Sequence, residues 1–536
     1  MNRQFLLLIL PICFVCFSIQ LRNIEGPYYD GFADPSYIYL FNSLNLIQGF
    51  NIGHVDHPGT PVQEIGAIVI KVFHTLNPQK INIIEDVLYR PETYLIAIDF
   101  TFVFLNFLGL LLTGLIIYSV KKNLFVSLLF QTIPFISINI LDSFTYVKPE
   151  NFVFFLVIIL ISLSIKFAYR ENLSFKKSNF YIIGFGMLCG LILAAKISFL
   201  CLVLLPLMLI PRIWKKILFS IITFFSFLLF VLPAISNISY FVNWAGSLFI
   251  YNERYGKGNP TIINLSSFFT NISKIIVNEK LFFIGFLLII VVFIWSIFWR
   301  KKEDINQSSG SRELKLLAAF FLAMCFQLIL VAKHYSSRYM YPALILTIPT
   351  LFIVISILYK RYFPKINSNI IYGSILSLIL LLSFYNSVKL INKSITVRNE
   401  TNKLKNYINT NHANSELIFS SDTSNEFVAL LLAYYYSGES GQRNYKTYIN
   451  QRFPDKLIFE IWDNTFHSAS DSFDIKNIFK SDKKIIFQTK NDNLNNNFIE
   501  SLEKISGVKN IQLSKVFSND FGESIYELDF EKEKNQ

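Results

Sequence analysis

The chain has 536 residues, 53% hydrophobic and 16% charged, with 55 phenylalanines and a net charge of +12. Soluble domains carry ~25% charged residues, so this composition excludes a soluble fold and indicates an integral membrane protein. The positive balance is topological and argues against nucleic-acid binding, because the Lys and Arg residues lie in short loops between apolar runs.

The first twenty residues resemble a signal peptide in charge and length. They lack a small-x-small cleavage site and read as an uncleaved first span. Apolar runs predict further spans at Leu95–Val120, Leu124–Ile140, Phe152–Ile165, Phe180–Ala195, Ile197–Ile210 and Ile217–Ile235. Others follow at Leu281–Trp299, Leu316–Ala332, Tyr341–Tyr359 and Ile370–Ser387. With Phe5–Ser18 this gives about eleven transmembrane helices, several shorter than the ~20 residues of an upright crossing. The five cysteines all lie in apolar segments and read as small buried hydrophobes, including the Cys13/Cys16 pair.

Basic clusters orient the spans. They comprise Lys121–Lys122, Lys166 with Arg170, Lys176 and Lys177, Arg212 with Lys215 and Lys216, Arg300–Lys302, and Lys360 with Arg361. A cytoplasmic N-terminus puts all of them inside, provided that Phe180–Ile210 is two short spans turning near Lys196. The loops left outside are 21–94, 141–151, 236–280 and 333–340, together with the tail after Val388. The expected location is the plasma (inner) membrane, with the polar groups and the tail extracytoplasmic.

The first outside loop holds two amphipathic stretches, Pro35–Gln48 and Val62–Leu76, each suited to lying in the interface plane. The tail is rich in Asn, Lys and Ser. It has β-like runs at Glu416–Ser420, Lys456–Trp462, Lys484–Thr489 and Ile525–Phe530, and helical patterns at Arg398–Asn409 and Asn425–Tyr436. The expected fold is therefore an α-helical polytopic membrane domain, 1–390, followed by a small C-terminal α/β domain, 391–536.

The chemistry-bearing residues gather in the outside loops. Asp30 and Asp34 follow the first span, where a carboxylate can act as general base or metal ligand. Asp34 before Pro35 also fits a helix cap. His54, Asp56 and His57 precede Pro-Gly-Thr-Pro. A turn can converge them on one ion, or can present the histidines to a substrate phosphate. Lys148 suits a phosphate and Glu150 a sugar hydroxyl or ion, while Tyr146 and Lys148 equally suit interfacial anchoring. Lys333, His334, Arg338 and Tyr339 form a basic aromatic group on the side where positive charge is scarce, and Arg338 is the phosphate contact of choice. Asn252–Tyr255 reads as a solvated loop. No Walker-type loop, GxSxG elbow or HExxH motif occurs.

These motifs resemble those of the GT-C glycosyltransferases, in particular the protein O-mannosyltransferase, aminoarabinose transferase and rhizobial galacturonosyltransferase-like enzymes. Asp34-Pro35-Ser36-Tyr37 stands where that family has an acidic pair and its Tyr. His57-Pro58-Gly59-Thr60-Pro61 stands where it has His-Pro-Pro. Lys148-Pro149-Glu150 and Arg338-Tyr339 before Pro342 also match. Pro35 replaces the second acid of the pair, which weakens a metal-binding role and leaves Asp34 as the main base.

The resemblance implies a GT-C-like fold and a polyprenyl-phosphate-linked sugar donor. It implies inverting transfer, outside the cytoplasm, to a lipid, glycan or protein acceptor. On that reading Asp34, with Asp30, is catalytic, and Arg338, Lys148 and His57 bind the donor phosphate. Tyr37, His54, Asp56, Glu150, His334 and Tyr339 contact substrate. Membrane lipids are partners and no nucleic acid is expected. No cofactor is called for, with a divalent cation left open. The alternatives are a lipid-linked glycan flippase or transporter, and a polysaccharide polymerase or ligase relying on outside arginines.

Overall fold

A computed structural model gives the fold and describes residues 3–30, 35–76, 81–170, 175–251, 260–261, 265–298, 308–333, 335–454, 456–470 and 474–530. The chain divides into two compact units. One comprises Met1–Ile19, Val55–Val62 and Asp99–Leu390; the other comprises Gln20–His54, Gln63–Ile98 and Ile391–Gln536.

The first unit is helical. Eight helices of the chain's described residues are long and apolar enough to cross a membrane. Counting the pair Ser267–Asn278 and Lys280–Ser296, bent by 106°, as one span makes nine. This is an integral membrane protein of the polytopic helical class. Two of the predicted runs take other forms. Leu124–Ile140 is broken into the helices Leu124–Gln131 and Ile138–Leu141 with a 3-10 turn, Ile133–Phe135, between them. Pro134 in that turn has no N–H to continue a helical ladder, and Ser137 caps the next segment by accepting from Asn139 N–H at 3.2 Å.

The other is Ile197–Ile210, which forms the return arm of a hairpin. The Phe175–Ala195 helix ends at Lys196. A 3-10 segment, Ile197–Val203, leads into the short helix Leu204–Leu209. Seven residues at ~2.0 Å and six at ~1.5 Å cover roughly 23 Å, more than thirteen α-helical residues would. The return is complete: Arg170 and Arg212, before and after the hairpin, line the same cavity.

Close packing holds this hairpin to its neighbour. Gly186 and Gly190 face the Ile213–Val231 helix. A Cβ on Gly186 would lie 2.6 Å from Ile222, and one on Gly190 would lie 2.7 Å from the backbone nitrogen of Phe227. Small residues four apart permit this approach. Buried polar groups add directional contacts. Asn106 donates to Asn151 Oδ1 at 2.9 Å, and Asn151 donates to Asp99 Oδ1 at 2.8 Å.

Lys121 and Lys360, from two of the basic clusters, approach one carboxylate. Glu313 accepts from Lys360 Nζ at 2.8 Å, Tyr169 at 2.7 Å and Ser356 at 2.8 Å, with Lys121 at 4.0 Å. Four helix ends thus converge on one buried carboxylate.

The second unit is built on a six-stranded sheet. Its strands are β1 (Glu416–Ser420), β2 (Leu457–Glu460), β3 (Thr465–Ser468), β4 (Ile485–Thr489), β5 (Gln512–Ser518) and β6 (Ser524–Asp529), in the order β3-β2-β1-β4-β6-β5. β1 pairs in parallel with β2 and β4, and the outer pairings are antiparallel. Ile418, Phe459 and Phe487 pack beneath the Asn495–Ser506 helix, where the Phe487 and Phe498 rings stack at 3.7 Å.

The Ser36–Ile47 helix belongs to this unit and is packed inside it. Ten of its residues, Ser36 to Asn45, are buried. Its asparagines account for that. Asn45 donates to Ser437 O at 2.6 Å and accepts from Tyr445 OH at 2.7 Å, and Asn42 donates to Tyr436 O at 3.2 Å. The Thr60–Leu76 helix does expose an apolar stripe, Ile68, Val72 and Leu76. The expected helices Ile370–Ser387 and Arg398–Asn409 are one 44-residue helix, Ser368–Asn411, since no Gly or Pro interrupts it after Gly373.

Candidate functional site

Asp34 and His334 lie outside the described residues, as do Asn252–Tyr255. The remaining candidates divide between the two units.

In the first unit, His57, Arg338 and Tyr339 line one cavity of about 380 Å³. His57 sits in the short Val55–Val62 segment. Its carbonyl accepts from Ile197 N–H at 3.0 Å, and its ring meets Trp244 edge-on at 5.2 Å. Arg338 and Tyr339 lie on a 3-10 turn, Ser337–Met340, which Gln327 holds by donating to Tyr339 O at 2.6 Å. Lys333 lines the same cavity and donates to Leu248 O at 3.0 Å. Most of the remaining wall is apolar, with Ile197, Leu200, Phe241, Val242, Leu248, Leu330 and Val331, while Ser198, Gln327 and Ser336 add neutral polar groups. The cavity is therefore amphiphilic, with three cationic or imidazole groups on a largely apolar surface. That is the chemistry of a site for an anionic head on an apolar tail.

Beside this wall lies a buried ion pair. Lys196 donates to Glu150 Oε1, with both side chains nearly free of solvent. Glu150 stands in the first turn of the Pro149–Tyr169 helix and Lys196 at the tip of the hairpin. The Lys196 ammonium lies 5.9 Å from the Tyr339 ring, and Arg338 is 5.6 Å from the same ring. Lys148, the residue before Pro149, lies 4.0 Å from Asp142 and 4.7 Å from the Tyr146 ring. Both the anchoring and the phosphate readings of Lys148 are compatible with that position.

In the second unit, Asp30 is buried and accepts from Lys405 Nζ at 2.6 Å. Tyr29 beside it is pushed up to about 12, chiefly by burial and then by the Asp30 charge. Tyr37 donates to Glu92 Oε1 at 2.7 Å, and the Tyr28 N–H donates to Glu92 Oε2 at 2.9 Å. Burial first, and Glu92 next, hold the Tyr37 phenol well above its ordinary value. The cap position of the Ser36–Ile47 helix is taken by Pro35, whose carbonyl accepts from Tyr39 N–H at 3.0 Å, so that helix does not start on a cap-then-Pro pattern.

The His54, Asp56 and His57 group does not converge. His54 packs edge-on to Tyr39 at 5.8 Å and Tyr436 at 5.9 Å, while His57 faces Trp244. Among the described residues, no three His, Cys, Asp or Glu side chains come together as a metal site.

Sequence reasoning missed three participants. Lys196 was legible only as a turn, Trp244 only as part of a loop, and Glu92 as a residue ahead of a span. The available signal was the same for Lys196 and Glu92: a single charge at the mouth of an apolar run.

No protein-family profile matches the chain, and no curated protein matches it. Among solved structures it is similar to ArnT from Cupriavidus metallidurans bound to undecaprenyl phosphate. The TM-score is 0.50 at 8% identity, covering 96% of this chain and 97% of that one. The apo state of the same protein gives a TM-score of 0.49 at 8% identity over the same shares. The likeness to the undecaprenyl phosphate-bound structure extends over nearly the whole of both chains and shows that the two share a fold.

Proposed function

We propose that this protein is a glycosyltransferase that moves a sugar from a polyprenyl-phosphate donor to an acceptor at the extracytoplasmic face of the membrane. The observation that carries this reading is the amphiphilic cavity, in which Arg338, Lys333 and His57 interrupt a largely apolar wall. The similar fold of ArnT, crystallised with undecaprenyl phosphate, supports a donor of the same kind.

In the proposed reaction the acceptor is a lipid, glycan or protein hydroxyl or amine. Asp34 takes its proton as the acceptor atom bonds to the anomeric carbon with inversion. The anomeric C–O bond breaks on the far side, and its electrons pass to the phosphate of the departing polyprenyl phosphate. Charge on that phosphate grows through the transition state, and Arg338, with His57 and Lys333, stabilises it. Glu150 supports this wall indirectly: it neutralises Lys196, so the cation beside Tyr339 is retained in a buried place. Asp30 is already paired with Lys405, which leaves the role of base to Asp34.

The test is a screen of the purified protein against radiolabelled polyprenyl-phosphate sugars, with and without divalent ions. Transfer to an acceptor in wild type, lost in Asp34→Asn at unchanged expression, is the expected result. Near-normal turnover in that variant defeats the assignment of the base. Transbilayer movement of a labelled lipid in liposomes, with no glycosidic product under any donor, defeats the whole reading in favour of a flippase.

A further inference from the structure

A second cavity of about 460 Å³ lies at the opposite end of the helical unit. The 21-residue helix Pro149–Tyr169 connects the two ends, separating Glu150 from Arg170 by roughly 30 Å. The cavity is lined by Arg170, Arg212, Lys215, Arg312 and Lys315, with Ser178 among them. These cations come from four separate elements: the residue after the Pro149–Tyr169 helix, the link from the hairpin, the start of the Ile213–Val231 helix, and the Ser308–Lys333 helix.

Topology alone does not explain this arrangement. The positive-inside tendency needs charges in loops; it does not need them on one concave surface. Five like charges around one space repel each other, and the repulsion is relieved by an anion. No carboxylate is among the described residues that line the cavity. Two carboxylates adjoin lining residues in sequence: Glu171 lies outside the described residues, and Glu313 accepts from Lys360, Tyr169 and Ser356 through its Oε1. Lys215 is buried, and its Nζ donates to Ser178 Oγ at 2.7 Å, which fixes one ammonium at the wall.

The surroundings indicate how the ligand arrives. Phe167, Leu209 and Pro211 form the apolar part of the lining. Ile213 and Trp214, next to the cavity, expose their side chains, as an interfacial belt does. The charge rule that orients the spans assigns this end to the cytoplasmic leaflet, where anionic lipids are enriched.

We propose that this cavity binds a phosphate group, carried as the headgroup of an anionic phospholipid of the cytoplasmic leaflet. The site is separate from the amphiphilic cavity and does not depend on the reaction assigned there.

The experiment uses the full-length protein in detergent micelles and follows its thermal midpoint. The titrants are phosphatidylglycerol, phosphatidylcholine and inorganic phosphate, each added separately. Wild type should gain stability saturably with phosphatidylglycerol and not with phosphatidylcholine. Arg212→Gln/Lys315→Gln should raise the half-saturating concentration by about tenfold or more, since each cation near a lipid surface contributes ~1 kcal/mol. Lys176→Gln/Lys177→Gln removes the same charge from exposed positions that do not line the cavity, and should leave the titration as in wild type. If Arg212→Gln/Lys315→Gln does not fold, Arg170→Gln takes its place. Saturation by inorganic phosphate alone, abolished by the same variants, also supports the phosphate site and identifies the source as a soluble anion. A monodisperse cavity variant that titrates like wild type overturns the proposal, and so does an equal loss in the exposed-lysine control.

Discussion

Lys196 and Glu150 form an ion pair out of contact with water, made between a hairpin tip and the first turn of another helix. Each residue alone would be a costly charge at its depth, and together they lock the hairpin in register beside Arg338 and Tyr339.

Removing one partner should therefore be far worse than removing both. Glu150→Gln leaves the Lys196 ammonium uncompensated and should cost about 3–5 kcal/mol. Glu150→Leu/Lys196→Met should recover most of that loss. Thermal midpoints of Glu150→Leu, Lys196→Met and the double form the cycle. Simple additivity of the singles would rule the pair out as a unit.

Arg338 should act on rate rather than on donor capture. If it stabilises charge that develops on the departing phosphate, Arg338→Gln lowers kcat by roughly 10²–10³-fold, with a smaller change in KM. Arg338→Lys should recover part of the rate, because a point charge replaces the planar fork. Single-turnover kinetics with a saturating donor make the distinction; a pure KM effect contradicts the assigned role.

Asp86 anchors the Ile83–Tyr89 helix. It accepts from Arg90 Nε at 2.7 Å, from Tyr94, and lies 3.1 Å from His74 Nδ1. Burial pushes its carboxyl up, but hydrogen bonds from Tyr94, Arg90 and His74 outweigh this and hold it below the ordinary value of 3.8. A depressed carboxyl contributes stability above its unfolded pKa, and this is lost as pH falls through the folded one. Asp86→Asn should cost about 2–3 kcal/mol at neutral pH. Below about pH 3.8 the two proteins should converge, as read from denaturation midpoints.

Glu64 has the opposite sign. Burial on the Thr60–Leu76 helix raises its carboxyl from 4.5 to about 7. The folded state then holds a proton that the unfolded state has released, so stability falls as pH rises between these values. Glu64→Gln should remove that slope, leaving a variant more stable than wild type above pH 7. Thermal midpoints at half-unit steps across the window check it; an unchanged slope in the variant refutes the assignment.

Most of the helical fold was legible because a membrane span announces itself by length and hydropathy. The hairpin at Lys196 followed from charge parity, and β1 was found at its observed bounds from its apolar run. What escaped depended on tertiary pairing. β3, Thr465–Ser468, and β5, Gln512–Ser518, are short or largely exposed and exist only beside their partners. The Ser36–Ile47 helix read as interfacial because its apolar face was visible and the partners of Asn42 and Asn45 were not. At the candidate site, Arg338 was recognisable as charge in the wrong place for topology, and His57 as part of a polar turn. Trp244 and Gln327 were not, since neither carries a charge to betray it.

The glycine contact at positions 186 and 190 has a mechanical corollary. Two rods that meet side to side with no room between them, and that Lys215 ties to Ser178 toward one end, lean as one body. Bilayer thickness, which sets how far such rods lean, therefore acts on the pair together.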